Sequence, residues 1–361
     1  MDCQTKSGTR HKEYSLIIAA LAAVLTMVPF MSSNLFLLTV LNLFSISSIL
    51  YSAFSVVRHA DVLAHRFGEP YGSLILSLAI VVLEASLISI LMLTGAASDT
   101  LMRDTIYSVI IIVMTGFIGF ALLLGGRRYN TQYFNFTGIK HFLISIMPLS
   151  LIVLALPTAL GSGTLTMGQL FVVAAACLLV YIIFLRIQTV THSEFFVYDD
   201  EDDDGHHGVC SAHGSPWHFM FLAIHLVAVI AVTKLSSTAL RDFLSILNAP
   251  ASIPGFLVAL LILSPEGAGA FRSILKNQVQ RAMNLLLGSV LATISLTVPL
   301  VVIVAALTGQ QLRLGLSVPD ILLMLTTFLV CQTSLTGGET NAHSGSAHVI
   351  LFIIYVMLLF Q

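Results

Sequence analysis

The chain has 361 residues, 57% of them apolar, and only 9% are charged (16 Lys+Arg against 18 Asp+Glu). A soluble domain carries roughly 25% charged residues, and the mean hydropathy here is +0.95. These values exclude a soluble enzyme, a disordered chain and a coiled coil, and they point to an all-α, polytopic membrane protein. A net charge of −2 says little by itself, but the sequence lacks the broad basic face that nucleic-acid binding needs, so no nucleic-acid partner is expected. Cys3, Cys177, Cys210 and Cys331 are scattered, so neither a disulfide framework nor a zinc ribbon is implied.

An apolar helix needs about 20 residues to cross roughly 30 Å of hydrocarbon. Eleven such runs are predicted, starting near Tyr14, Asn34, Tyr71, Ile106, His141, Met167, Trp217, Ala251, Gln280, Val318 and His343. No small-residue cleavage site closes the first run, which ends Val28-Pro-Phe-Met31, so it is read as a span and not a signal peptide. Pro265 interrupts the eighth run, and the long ninth run has room for a break at Pro299.

Lys and Arg set the orientation. Twelve of the 16 fall on the side of the N-terminus, leaving Arg103, Lys234, Arg241 and Arg313 on the other. The N-terminus is therefore expected in the cytoplasm and, with eleven spans, the C-terminus on the opposite side.

Residues 191–216 stand apart. Asp199, Asp200, Glu201, Asp202, Asp203 and Asp204 precede His206, His207, His213 and His218. A block of like charges is ordinarily a solvated tether; the sharper reading is a cation or pH sensor. The segment divides the chain into residues 1–33 (cytoplasmic N-terminus and an extra helix), 34–190 (first five-helix repeat), 191–216 (the acidic, His-rich loop) and 217–361 (second five-helix repeat).

Two carboxylates sit inside apolar runs. Glu84 in the third and Glu266 in the eighth each lie about 20 Å along the helix, near the middle of a bilayer. A charged acid there costs at least about 3 kcal/mol, which makes it a functional candidate. The two are five spans apart, and an odd shift reverses direction, the signature of an inverted-topology repeat with its site at the midplane. On the following helices, Ser108, Thr115 and Gly119 share one face, as do Asn284, Gly288 and Ser295. Small and hydroxyl residues also serve plain helix packing. Pro265 frees the carbonyl of Leu261, and Ser77 lies two turns before Glu84, so both add candidate oxygen ligands. Glu69 at the mouth of the third span is a candidate gate. His225 in the seventh is read first as a packed residue and second as a sensor. His59 and His65 flank Asp61 in what is read as a solvated cytoplasmic loop. Arg103 and Asp104 are read as an interfacial pair.

Three segments carry a resemblance: 54–77, Leu260–Gly267 (LLILSPEG) and Asn277–Pro299. With them the chain resembles the ChaA-type bacterial cation/proton antiporters of the calcium/cation antiporter superfamily, over both halves. The resemblance implies two inverted five-helix repeats plus one extra N-terminal helix, in the bacterial inner membrane. It implies a secondary active antiporter, not an enzyme, exporting Na+, K+ or Ca2+ in exchange for protons by alternating access at a site built on Glu84 and Glu266. The superfamily pattern G-N-A-x-E departs here: Val81 and Leu263 stand at the Asn positions. Two oxygen ligands are missing, and calcium takes six to eight, which argues for sodium and potassium as cargo. Small cations, protons and membrane lipids are the implied partners, with no cofactor; a homo-oligomer is compatible with the sequence. The competing readings are a cation channel, an intramembrane enzyme and a regulatory scaffold; against the enzyme, no H-E-x-x-H, P-loop or Rossmann signature occurs.

Overall fold

The computed structural model describes residues 13–27, 35–67, 71–95, 98–196, 214–335 and 337–360. The described residues hold eleven apolar helices: α1 (Tyr14–Thr26), α2 (Leu35–Phe67), α3 (Tyr71–Leu93), α4 (Leu101–Tyr129), α5 (Phe136–Ala159), α6 (Met167–Thr191), α7 (Ser215–Ile246), α8 (Ile253–Leu275), α9 (Val279–Thr308), α10 (Val318–Ser334) and α11 (Ala342–Leu358). Seven are long and apolar enough to cross a membrane, and four are shorter apolar helices. Helix α5 starts at Phe136, five residues before the expected His141, because Asn135 caps it: its Oδ1 accepts from the Thr137 N–H at 2.9 Å. Helix α4 starts five residues before Ile106, on a turn in which the Asp104 carboxylate accepts from Thr100 Oγ1 at 2.7 Å.

Two sequence expectations are corrected, and the break expected near Pro299 is found. Pro265 does not interrupt α8, which runs unbroken through it. The break falls in α9, where Thr293–Thr297 widen into a π turn directly before Pro299. Proline has no N–H for the carbonyl four residues back, and the wider turn absorbs the register shift. Leu151–Ala155 of α5 does the same ahead of Pro157, whereas the π turn Ile112–Phe117 of α4 has no proline. The second correction is that Arg58 and His59 are not in a solvated loop. Helix α2 has 33 residues, about 50 Å at 1.5 Å per residue, so its last turns extend past a 30 Å core while still helical. His59 is fully buried. His218, expected in the loop, lies in the first turn of α7 and is also fully buried.

The chain forms two compact units. The first holds α1, α2, α3 and α7; the second holds α4–α6 and α8–α11. In the first, α2 packs against α1, α3 and α7. Ser45, Ser48, Ser52 and Ser55 make a buried stripe on α2, small residues that let helix backbones approach. Ser55 Oγ meets Ser15 Oγ of α1 at 3.0 Å, and Asn42 Nδ2 donates to the Ala239 carbonyl of α7 at 3.1 Å.

In the second unit the connections pair. Strand β1 (Thr131–Tyr133), between α4 and α5, is antiparallel to β2 (Glu339–Asn341), between α10 and α11, with Gln132 opposite Thr340. Thr164, between α5 and α6, bridges Arg313, between α9 and α10. Helix α8 lies along α4 through two glycines. A Cβ on Gly255 would stand 2.6 Å from Asp104 Cβ, and one on Gly267 would stand 2.5 Å from Phe117 Cε2.

Candidate cation site

Each unit contains one buried acid from the middle of an apolar helix. Glu84 of α3 is 0% exposed, surrounded along its helix by the buried Ile80, Val81, Leu83, Leu87 and Ile88. Glu266 of α8 is 5% exposed and sits between Pro265 and Gly267. Since Gly267 is in contact with Phe117, the backbone next to Glu266 is seated on the π turn of α4. Isolated π turns inside α-helices are frequent at functional sites, because they re-aim side chains and loosen the regular ladder.

Two of the predicted hydroxyl residues fall inside such turns. Thr115 lies in the π turn of α4, fully buried, its Oγ1 donating back to the Ile111 carbonyl. Ser295 lies in the π turn of α9, also fully buried, and its Oγ has no hydrogen-bond partner among the described residues. The α4 turn is held from outside: His348 Nδ1 of α11 donates to the Met114 carbonyl at 2.6 Å, while its Nε2 meets Ser334 Oγ at 2.7 Å.

The other predicted residues have different surroundings. Ser108 is buried but committed, its Oγ 2.6 Å from Tyr355 Oη of α11. Asn284 is half-buried, with Nδ2 donating to the Phe196 carbonyl at 2.6 Å and Oδ1 accepting from Gln280 at 2.9 Å. It pins the segment after α6 to α9, 11 residues and about 16 Å along the helix from Ser295. Ser77 is half-buried near the start of α3, and Leu261 is half-buried in the unbroken stretch of α8. Arg103 and Asp104 do pair, at 2.7 Å. Glu69 and the carboxylates Asp199, Asp200, Glu201, Asp202, Asp203 and Asp204 lie outside the described residues.

One cluster was missed by sequence reasoning. His225 is buried as expected, but its Nε2 lies 2.8 Å from Oε2 of Glu13, the residue before α1. Arg58 Nη2 approaches the same oxygen at 3.0 Å, and His59 Nε2 lies 3.4 Å from Glu13 Oε1. Burial raises the Glu13 carboxyl, but the hydrogen bond from His225 and the charges of Arg58 and the histidines outweigh it and hold the group below its ordinary value. The sequence signal was a Glu at the edge of the first apolar run with two His in helices too long for the bilayer. Nothing in the spacing ties residue 13 to residue 225.

The profile of the family described as sodium/calcium exchanger protein matches residues 37–190 and 217–361. The chain belongs to the sodium/calcium exchanger protein family. Among its relatives, the sodium-potassium/proton antiporter ChaA of Escherichia coli (strain K12) is 54% identical over 363 residues, covering 99% of both proteins. The Ca(2+)/H(+) antiporter of Aphanothece halophytica is 26% identical over 304 residues, 79% of this chain and 78% of that protein. Among solved structures, native YfkE superposes with a TM-score of 0.72 at 16% identity, covering 96% of this chain and 99% of that one. The H+/Ca2+ exchanger CAX gives 0.63 at 15%, covering 96% and 89%. At such identities the structures bear on fold alone. Family membership, together with seven helices long and apolar enough to cross a bilayer, makes this exchanger-family chain a multi-pass membrane protein.

Proposed function

We propose that this protein is a secondary active cation/proton antiporter that exports Na+, K+ or Ca2+ from the cytoplasm in exchange for H+, with Glu84 and Glu266 as the groups that bind cation and proton. The observation that carries the reading is 54% identity across essentially the full length of a sodium-potassium/proton antiporter. The charge of a buried carboxylate is strongly disfavoured in a low-dielectric interior unless it is neutralised. In this reading each glutamate holds a proton or helps hold a cation, and the same oxygens cannot do both. Mutual exclusion makes the two fluxes obligatorily coupled, provided the protein alternates its access. Each net charge moved is worth about 2.3 kcal/mol per 100 mV, so the stoichiometry sets whether voltage assists.

The inverted repeat is supported by the pairing of connections. A shift of five helices turns the α4–α5 connection into α9–α10 and the α10–α11 connection into α5–α6, so it exchanges the β1–β2 pair with the Thr164–Arg313 bridge. The same shift relates the π turns of α4 and α9. Thr115 and Ser295 are the second-rank ligands in this reading, ahead of Ser77 and the Leu261 carbonyl; Ser108 and Asn284 act in packing. The absence of Asn at Val81 and Leu263 favours monovalent cargo. The surplus of Lys and Arg on one side supports a cytoplasmic N-terminus in the bacterial inner membrane.

The test uses everted membrane vesicles with an acid interior, lumenal pH being followed by a quenched dye as Na+, K+ or Ca2+ is added at alkaline and neutral pH. Cation-driven collapse of the gradient is expected, and its loss in Glu84→Gln and Glu266→Gln with the protein still inserted. Full activity in both variants removes the proposed roles. Cation current without a pH gradient would instead identify a channel.

A further inference from the structure

At one end of the first unit, ionisable side chains from two helices and from the residue that precedes a third converge. Glu13 precedes α1, Arg58 and His59 lie eight to nine residues before the end of α2, and His225 lies in the third turn of α7. One ligand-type atom each from Glu13, His59 and His225 falls within 4.8 Å of the other two. Both imidazoles are 0% exposed.

We propose that Glu13, His59 and His225 form a binding site for a divalent metal ion of the zinc class, separate from the carboxylates assigned to transport. Two imidazoles and one carboxylate make a borderline nitrogen-oxygen donor set suited to zinc and its neighbours, and unlike the six to eight oxygens that calcium takes. In a tetrahedral zinc site with bonds of about 2.0–2.2 Å, adjacent donor atoms stand about 3.3 Å apart. His225 Nε2 already lies 2.8 Å from Glu13 Oε2, and His59 Nε2 lies 3.4 Å from the other carboxylate oxygen, Oε1. With one donor atom from each residue no edge of the triangle exceeds 4.8 Å, and small rotations of the carboxylate and one ring close it.

His218, also on α7 and fully buried, supplies a second observation. Its Nδ1 lies 2.9 Å from His59 Nδ1. When His59 Nδ1–H donates to His218, the Nε2 lone pair of His59 is directed at the metal side, the arrangement in which an outer partner fixes the tautomer of a ligating histidine. The reverse tautomer puts Nε2–H against Glu13. The His59–His218 contact therefore accommodates either the metal-bound or the metal-free form, each reached when both rings change tautomer together.

Arg58 is the competitor. Its Nη2 stands 3.0 Å from Glu13 Oε2 and 3.5 Å from His59 Nε2, and its side chain is 30% exposed, so it has a route to water. The guanidinium neutralises Glu13 in the metal-free protein, and an arriving dication displaces it. Occupancy ties the N-terminal helix to α2 and α7 at their common end and stabilises the first unit.

The experiment uses the full chain, purified in detergent without a polyhistidine tag and stripped with chelator. Zn2+ binding is measured by calorimetry and by competition with a chromophoric chelator. The background is a variant with His206, His207 and His213 replaced by Asn, which removes the loop histidines as a rival site. One Zn2+ per chain is expected, unaffected by excess Ca2+, with a thermal midpoint raised by Zn2+. Co2+ in place of Zn2+ should give the intense visible bands of a tetrahedral site. His218→Phe should weaken binding about 10–100-fold, Glu13→Gln and His225→Gln should weaken it further, and Arg58→Gln should tighten it. Helicity and a monodisperse elution profile show that each variant is folded. Absence of stoichiometric Zn2+ in the background variant, or binding that survives both Glu13→Gln and His225→Gln, overturns the proposal.

Discussion

Gly267→Ala tests whether the backbone beside Glu266 is held in place by its contact with the π turn of α4. The added Cβ would sit 2.5, 2.8 and 3.1 Å from Cε2, Cζ and Cδ2 of Phe117, where ordinary contact begins near 3.4 Å. The ring must therefore retreat by about 0.9 Å on a steep repulsive wall. Phe271, packed edge-on against Phe117 with centroids 5.7 Å apart, limits the retreat. Overpacking of this kind costs about 1–3 kcal/mol. Gly119→Ala is the matched control: its Cβ would meet His348 Cβ and Val349 Cγ2 at 2.9 Å, on the α4–α11 contact. Both variants should melt earlier in detergent. Only Gly267→Ala should lose more vesicle transport than its reduced abundance explains, because it alone displaces the residue next to Glu266. Adding Phe117→Ala should recover much of the loss. Wild-type melting and transport in Gly267→Ala would refute the reasoning. A loss that Phe117→Ala leaves untouched would place the cause elsewhere.

Further expectations concern the π turns and the packing around them. Pro299→Ala returns an N–H to α9 and should slow antiport without lowering the melting temperature; unchanged transport would show that the widened turn at Ser295 is incidental. His348→Leu removes the short imidazole bond to the buried Met114 carbonyl and leaves it the longer Cys331 Sγ contact at 3.8 Å, a loss of about 1–3 kcal/mol that thermal unfolding should register. Tyr355→Phe removes the partner of Ser108 and should cost about 0.5–1.5 kcal/mol with transport retained; abolished transport in a stable Tyr355→Phe protein would return Ser108 to the site.

Much of this protein was legible in its sequence because a bilayer constrains local composition. Every backbone group in hydrocarbon must be satisfied within its own helix, so eleven apolar runs predict eleven apolar helices, and two acids within them mark themselves. Glu84 and Glu266 needed no tertiary information to be singled out. Tertiary structure decided how the remaining polar groups are used. Ser108 and Asn284 read as ligand candidates by periodicity, but hydrogen bonds to Tyr355 and Phe196 take up their polar atoms. Ser295 Oγ has no hydrogen-bond partner among the described residues, in a turn that widens ahead of a proline four residues on. Pro265 and Pro299 look alike in sequence, yet α8 stays regular and α9 widens. The Glu13–His59–His225 cluster depends on contacts across up to 212 residues. Helical periodicity reaches only three or four residues along the chain, so which helix ends meet, and which buried charges then face each other, is settled by packing alone.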